Sequence, residues 1–471
     1  MRKILFVLLF LFVFSGFIFA QGTGKITGKV VFGGDRSPLH QATVKILELN
    51  RSTVTDNNGV YTFDNVPVGK YKVMAHQEGF SDSTVPVTVA ANTSAVGDIE
   101  LNISSIKEEV TVTGSGTEQS TFESIATVST VNSTDIVSRA AVGLGDVLDR
   151  EAGVSKRSGS AGASRPVIRG FDGDRVLVSS DGVSVGSLAS QSGDHSEPVD
   201  TLAVERIEVV KGPATLLYGS NAIGGVVNAI SGHDEGPHPG IRGYFSALGG
   251  TNNGQAGVSG GLEYGMKNWM FWGNGSAQRT GDYTAGGDFG TVFNTFTRSA
   301  TASVGSGYFG NKAYFTTNYS YYQNRYGIPL DPSEEEPELR TIPMHRHDLK
   351  FNLGIKETGW FVSDMKFTVD LSRYQHQEIA DDVVGTTFRN NVFSYRGMFE
   401  QKPYGKLTGR FGFNGFHRDF STVGIETLID GPVKQDSFAF FGLEEFKFEG
   451  ITLQLGARVE NNRYDPDNLV L

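Results

Sequence analysis

The 471-residue chain contains no cysteine, which excludes a disulfide framework, thiolate metal sites and thiol catalysis. It also lacks a basic excess. Its 41 Lys and Arg stand against 52 Asp and Glu, a net charge of −11, so nothing in the composition meets a phosphate backbone and no nucleic-acid partner is expected. Hydrophobic residues make up only 38%, below the usual ~45–50%. After the N-terminus no apolar run approaches the roughly 20 residues that a membrane-spanning helix needs. What is plentiful is glycine, 60 residues, and aromatics, with 33 Phe and 16 Tyr. An acidic, Gly- and aromatic-rich chain of this length reads as predominantly β and multidomain.

Residues 1–20 read as a signal peptide. Arg2 and Lys3 precede an apolar run from Ile4 to Phe14, and Ala20 offers a small residue for cleavage. The mature chain is therefore expected outside the cytoplasm. From 24 to 101 short alternating strands recur, as in Ile26–Val30, Thr43–Ile46, Val60–Phe63 after Asn58-Gly59, and Gly69–Val73. This spacing predicts a small β-sandwich. The string Gly28, Val30, Pro38, Ala42, Val44, Thr55-Asp56, Gly59, Tyr61, Phe63, Gly69, Tyr71, Val73 and Gly79-Phe80 resembles the carboxypeptidase regulatory-like domain. That resemblance implies no catalysis.

A polar linker, 103–120, holds Glu108-Glu109-Val110-Thr111-Val112-Thr113. Its β-branched alternation suits either strand addition to a partner's sheet edge or the first strand of the next domain. Residues 121–232 read as a compact α+β unit, with a short helix at Leu144–Leu148, a hairpin around Asp181-Gly182 and a strand over Val204–Val210. From 240 to 471 period two dominates. Leu349, Phe351, Leu353 and Ile355 alternate with polar neighbours, as do Met365, Phe367, Val369 and Leu371. About eleven such runs, following a signal peptide, predict a membrane β-barrel. Enzyme motifs fail on context. Gly182-Val183-Ser184-Val185-Gly186 and Gly257-Val258-Ser259-Gly260-Gly261 match the nucleophile-elbow string, but neither lies between a strand and a helix, as that motif requires. No enzyme activity is expected.

The middle unit is similar to the plug of a TonB-dependent outer-membrane receptor. The resemblance is carried by Arg165-Pro166-Val167-Ile168-Arg169-Gly170-Phe171, by Val204-Glu205-Arg206-Ile207-Glu208-Val209-Val210-Lys211-Gly212-Pro213, and by Leu217-Tyr218-Gly219-Ser220-Asn221-Ala222-Ile223-Gly224-Gly225-Val226-Val227-Asn228. It implies a fold class of all-β membrane barrel with an α+β plug and an N-terminal sandwich. The implied location is the outer membrane, in contact with its lipid, with the N-terminal domain in the periplasm. Glu108 to Thr113 then matches the TonB box, the strand engaged by a TonB-type inner-membrane complex that energises import. The family barrel has 22 strands; residues 240–471 are expected to be its N-terminal portion.

A narrower resemblance points to the zinc-importing branch. Gly193-Asp194-His195-Ser196 looks like that branch's plug loop, and Tyr326-Gly327-Ile328-Pro329, Gln375-His376-Gln377-Glu378-Ile379 and Phe420–Glu426 are similar to barrel segments. It implies zinc as transported substrate, not cofactor, with Asp194, His195 and Glu426 as ligands and a fourth beyond Leu471. Imidazole nitrogen and carboxylate oxygen are ordinary zinc ligands. His345 with His347, and His376 with Glu378, are spaced i, i+2, which puts each pair on one face of a strand; they form a possible secondary set. Two other readings stay open: a receptor for a siderophore or other large nutrient, and a barrel-anchored surface binding protein.

Overall fold

The computed structural model describes residues 22–33, 36–77, 80–103, 111–112, 119–120, 127–231, 240–331, 333–356, 358–359, 361, 362–425, 431–448 and 451–466. The chain forms two compact units that divide at Glu108. The first is a sandwich of two sheets. One orders Val60–Pro67, Thr23–Phe32, Ile99–Ile103 and Phe80–Ser81, with Ser94–Val96 also beside Thr23–Phe32. The other orders Arg51–Val54, Thr43–Ile46, Gly69–His76 and Ser83–Val89. Alternation aims Ile26, Val30, Val44, Ile46, Tyr61, Phe63, Val73, Ile99 and Leu101 into one core.

The second unit begins with a plug. A mixed sheet runs Thr127–Asn132, Arg206–Lys211, Gly225–Ile230, Val176–Ser180 and Val183–Ser184. Its two central strands, Arg206–Lys211 and Gly225–Ile230, are buried at every position, as a strand covered on both faces must be. The Asp181-Gly182 turn has φ of 50° and 83°, the positive pair of a tight hairpin turn. Two short helices, α1 (Ser133–Arg139) and α2 (Leu144–Leu148), flank the sheet. Asn132 caps α1 by accepting from the Asp135 amide at 2.8 Å.

Eleven antiparallel strands then form one sheet in which each strand pairs with the next in sequence. They are β1 (Gly240–Gly250), β2 (Gln255–Met266), β3 (Trp269–Thr280), β4 (Thr297–Phe309), β5 (Ala313–Gly327), β6 (Arg340–Ile355), β7 (Val362–Ala380), β8 (Val383–Gln401), β9 (Leu407–Gly424), β10 (Val433–Phe448) and β11 (Ile451–Pro466). The two longest connections, 281–296 and 328–339, lie at one end together with the short 251–254 and 381–382, while the other end has 267–268, 310–312 and 402–406. In membrane barrels the longer ones are extracellular.

One face of this sheet meets the plug, and the contact is polar. Gln255 donates to the Ala140 carbonyl at 2.7 Å, and Asn390 to Gly186 at 2.6 Å. Thr301 reaches the Asp200 carboxylate at 2.5 Å, joined there by Ser276. Lys350 pairs with Asp181 at 2.7 Å. Burial alone would raise the Asp181 carboxyl; Lys350 and the Ser231 amide hold it instead at about 2. The pair's contribution is therefore complete above the ordinary carboxyl value and is lost only as pH falls toward 2, so this latch is unchanged across neutral pH. Lys350→Met leaves Asp181 buried and unpaired. We expect it to weaken plug docking by about 3–5 kcal/mol, read as faster proteolysis of the plug within an intact barrel.

Candidate metal site between plug and barrel

His195 sits in the plug's Ser- and Gly-rich stretch between the Val183–Ser184 strand and Arg206–Lys211. Tyr326 of β5 positions it. The Tyr326 hydroxyl accepts from the Ser196 amide at 3.0 Å and donates to the Asp194 carbonyl at 2.8 Å, so the residues on both sides of His195 hang from one phenol. Tyr326 is fully buried. It packs so closely on Gly162 that a Cβ there would lie 2.4 Å from the tyrosine's own; only glycine fits at that hairpin tip. Tyr326→Phe strands the buried Ser196 amide and the half-buried Asp194 carbonyl. We expect a stability loss of about 1–3 kcal/mol in thermal melts, together with weaker ion binding at His195.

Across the interface, β7 presents His376 and Glu378 inward. Met365–Leu371 set its apolar outer parity, and Asp370, Ser372, Tyr374 and His376, on the opposite parity, are all buried. One ligand atom from each of His195, His376 and Glu378 lies within 4.8 Å of the others. His195 Nε2 is 3.0 Å from Glu378 Oε1, and the two imidazole rings are 4.4 Å apart. Phe388 stacks on His376 at 4.3 Å and meets His195 edge-on at 5.3 Å, closing the site on its apolar side.

Each imidazole is oriented by a partner on its Nδ1. His195 Nδ1 faces the Leu188 carbonyl, which can only accept, at 3.2 Å, so Nδ1 carries a hydrogen and Nε2 is the atom that faces the Glu378 carboxylate. Two acceptors at 3.0 Å repel unless a proton or a cation lies between them. His376 Nδ1 is 2.9 Å from the Tyr374 hydroxyl, and its Nε2 is buried with no partner. Carbonyl and hydroxyl partners on the far ring nitrogen are the usual outer support of ligating histidines. Two ligands of a tetrahedral zinc lie about 3.3 Å apart, close to the Nε2–Oε1 separation.

The trio mixes the expected primary and secondary sets. His195 is in it, but Asp194 is not. The Asp194 carboxylate takes the Ser192 hydroxyl, and Asp194 contributes only its carbonyl, to Tyr326. His376 and Glu378 belong with His195. His345 and His347 do not. They occupy the parity of Leu349 and Phe351 on β6, where His347 bonds the outward Tyr319 hydroxyl at 2.8 Å, so the sheet itself separates them from the site. Glu426 lies outside the described residues. So do Glu108, Glu109, Val110 and Thr113; Thr111–Val112 is an extended segment paired with Gln119–Ser120. Near the trio, Glu197 keeps one carboxyl oxygen without a partner, and burial raises its carboxyl to about 7 against the pull of Ser187 and Arg165.

Comparison with known proteins agrees with this architecture. Residues 120–226 match the TonB-dependent receptor plug domain, and 25–102 match the carboxypeptidase regulatory-like domain. The chain is 36% identical over 155 residues to the vitamin B12 transporter BtuB of Vibrio vulnificus, which covers 32% of the chain and 25% of that protein. To the hemin receptor of Yersinia pestis it is 27% identical over 274 residues, 54% of the chain and 38% of the relative. The chain thus spans well under half the length of these curated relatives. Among solved structures, the FrpB iron transporter of Neisseria meningitidis superposes with a TM-score of 0.60 at 15% identity, over 72% of the chain and 59% of FrpB. A ferric enterobactin receptor of Pseudomonas aeruginosa superposes with a TM-score of 0.57 at 15% identity, over 73% and 60%. These likenesses establish the fold, and the matched families are receptors and transporters, not catalysts. In its plug, its barrel sheet and its N-terminal sandwich, the chain has the parts of a TonB-dependent receptor of the outer membrane.

Proposed function

We propose that this receptor imports a scarce metal nutrient into the periplasm by TonB-coupled transport, and that the cargo is held between plug and barrel by His195, His376 and Glu378. The observation that carries the reading is the trio itself, in which buried His195 turns Nε2 to a carboxylate oxygen at 3.0 Å and buried His376 Nε2 has no partner. Two imidazoles and one carboxylate with an open fourth position suit zinc or a related borderline divalent cation. One ligand comes from the plug and two from β7, so any displacement of the plug separates the set and releases the ion. This couples release to the pull of a TonB-type partner on the segment Glu108–Thr113.

A second reading is favoured by the relatives, whose names attach them to vitamin B12, hemin and ferric enterobactin. Here the cargo is a large metal chelate, and the trio is a structural contact beneath it. The two separate in one binding panel on the purified receptor with zinc, cyanocobalamin, hemin and a ferric siderophore. Zinc bound tightly and lost in Glu378→Ala supports the first reading. A chelate bound tightly, with zinc binding weak and indifferent to Glu378→Ala, replaces it with the second.

A further inference from the structure

The strand registers line up like charges on the outward face of the barrel. Arg279 of β3 stands directly opposite Arg298 of β4, and Arg298 opposite Arg325 of β5. Further round, Arg373 of β7 is opposite His347, and Arg389 of β8 is opposite Gln375, itself opposite His345. All five arginines are exposed. Arg298 donates to the Thr280 and Thr297 carbonyls, and Arg389 to Gln375 at 3.2 Å. No carboxylate answers them: the outward parity of β3 to β8, from 269 to 399, holds neither Asp nor Glu among the described residues. On β9 and β10 the pattern changes, and outward His417 pairs with Asp436 at 2.8 Å.

Like charges directly opposite one another on a sheet are destabilising. A row of them on one face is relieved by an anion from outside the chain. Its position narrows the anion. The row lies at the end with the longer connections, and toward the other end the same parity continues into Tyr319, Leu349, Leu371 and Phe393, the apolar band that faces lipid. The row thus stands where lipid headgroups of the outward leaflet begin. Guanidinium groups bind phosphate oxygens in pairs and outperform Lys there.

We propose that this row binds the headgroup of an outer-leaflet lipid carrying more than one phosphate. The proposal is independent of the cargo. Its test uses the full chain in detergent, incubated with diphosphoryl lipid A and with the same lipid dephosphorylated, and weighed intact by native mass spectrometry. Wild type is expected to retain the diphosphoryl form and not the dephosphorylated one. Arg298→Gln/Arg325→Gln is expected to retain at least fivefold less while keeping the wild-type heat-modifiable migration. Equal retention of the two lipids by wild type overturns the proposal without recourse to any variant, and so does undiminished retention by a folded double variant.

Discussion

A receptor carrying His195→Ala is expected to bind zinc at least tenfold more weakly than wild type, about 1.4 kcal/mol, in calorimetry or chelator competition. The loss follows from the geometry of the trio. Removing the plug's imidazole leaves two ligands on one strand, His376 and Glu378, and none from the plug. Asp194→Ala is the internal control. Its carboxylate is engaged by Ser192 and lies outside the trio, so that variant is expected to bind zinc nearly as wild type does. Equal losses in the two variants would restore Asp194 as a ligand and require the loop to rearrange on binding.

Val110→Pro is expected to abolish uptake while leaving binding at the outer face intact. Proline removes a backbone donor and fixes φ, so the segment cannot extend a partner's sheet. The neighbouring Thr111–Val112 already takes strand form against Gln119–Ser120, a two-residue pairing too short to compete with a longer added strand. Radiolabelled cargo accumulation in cells, compared with equilibrium binding to the purified receptor, reads the two effects separately. Unchanged accumulation would move the coupling segment elsewhere in the chain.

The fold was legible because its signals are local. Period-two runs such as Leu349–Ile355 and Ile451–Val459 announce half-buried strands, and they became β6 and β11. Asp181-Gly182 announced its hairpin, and Leu144–Leu148 its short helix. The site was legible only in part because its members are remote in sequence: His195 and Glu378 are 183 residues apart. The resemblance of the plug loop made its adjacent Asp194 look like the partner of His195, when the backbone turns that side chain to Ser192. Parity held the information that adjacency concealed. Extending the apolar outer register of Phe367, Val369 and Leu371 puts His376 and Glu378 inside, and extending that of Leu349 and Phe351 puts His345 and His347 outside. The role of Tyr326 had no signal to read, because two hydrogen bonds to the backbone on either side of a histidine leave no pattern in side-chain types.

The central claim is that the cargo is a divalent ion ligated across the plug–barrel boundary. It is tested most directly by zinc K-edge X-ray absorption on the purified receptor loaded with one equivalent of zinc. The account predicts a first shell containing two imidazoles at about 2.0–2.1 Å, falling to one in His376→Ala and losing a carboxylate oxygen in Glu378→Ala. An all-oxygen shell that neither substitution alters would contradict it.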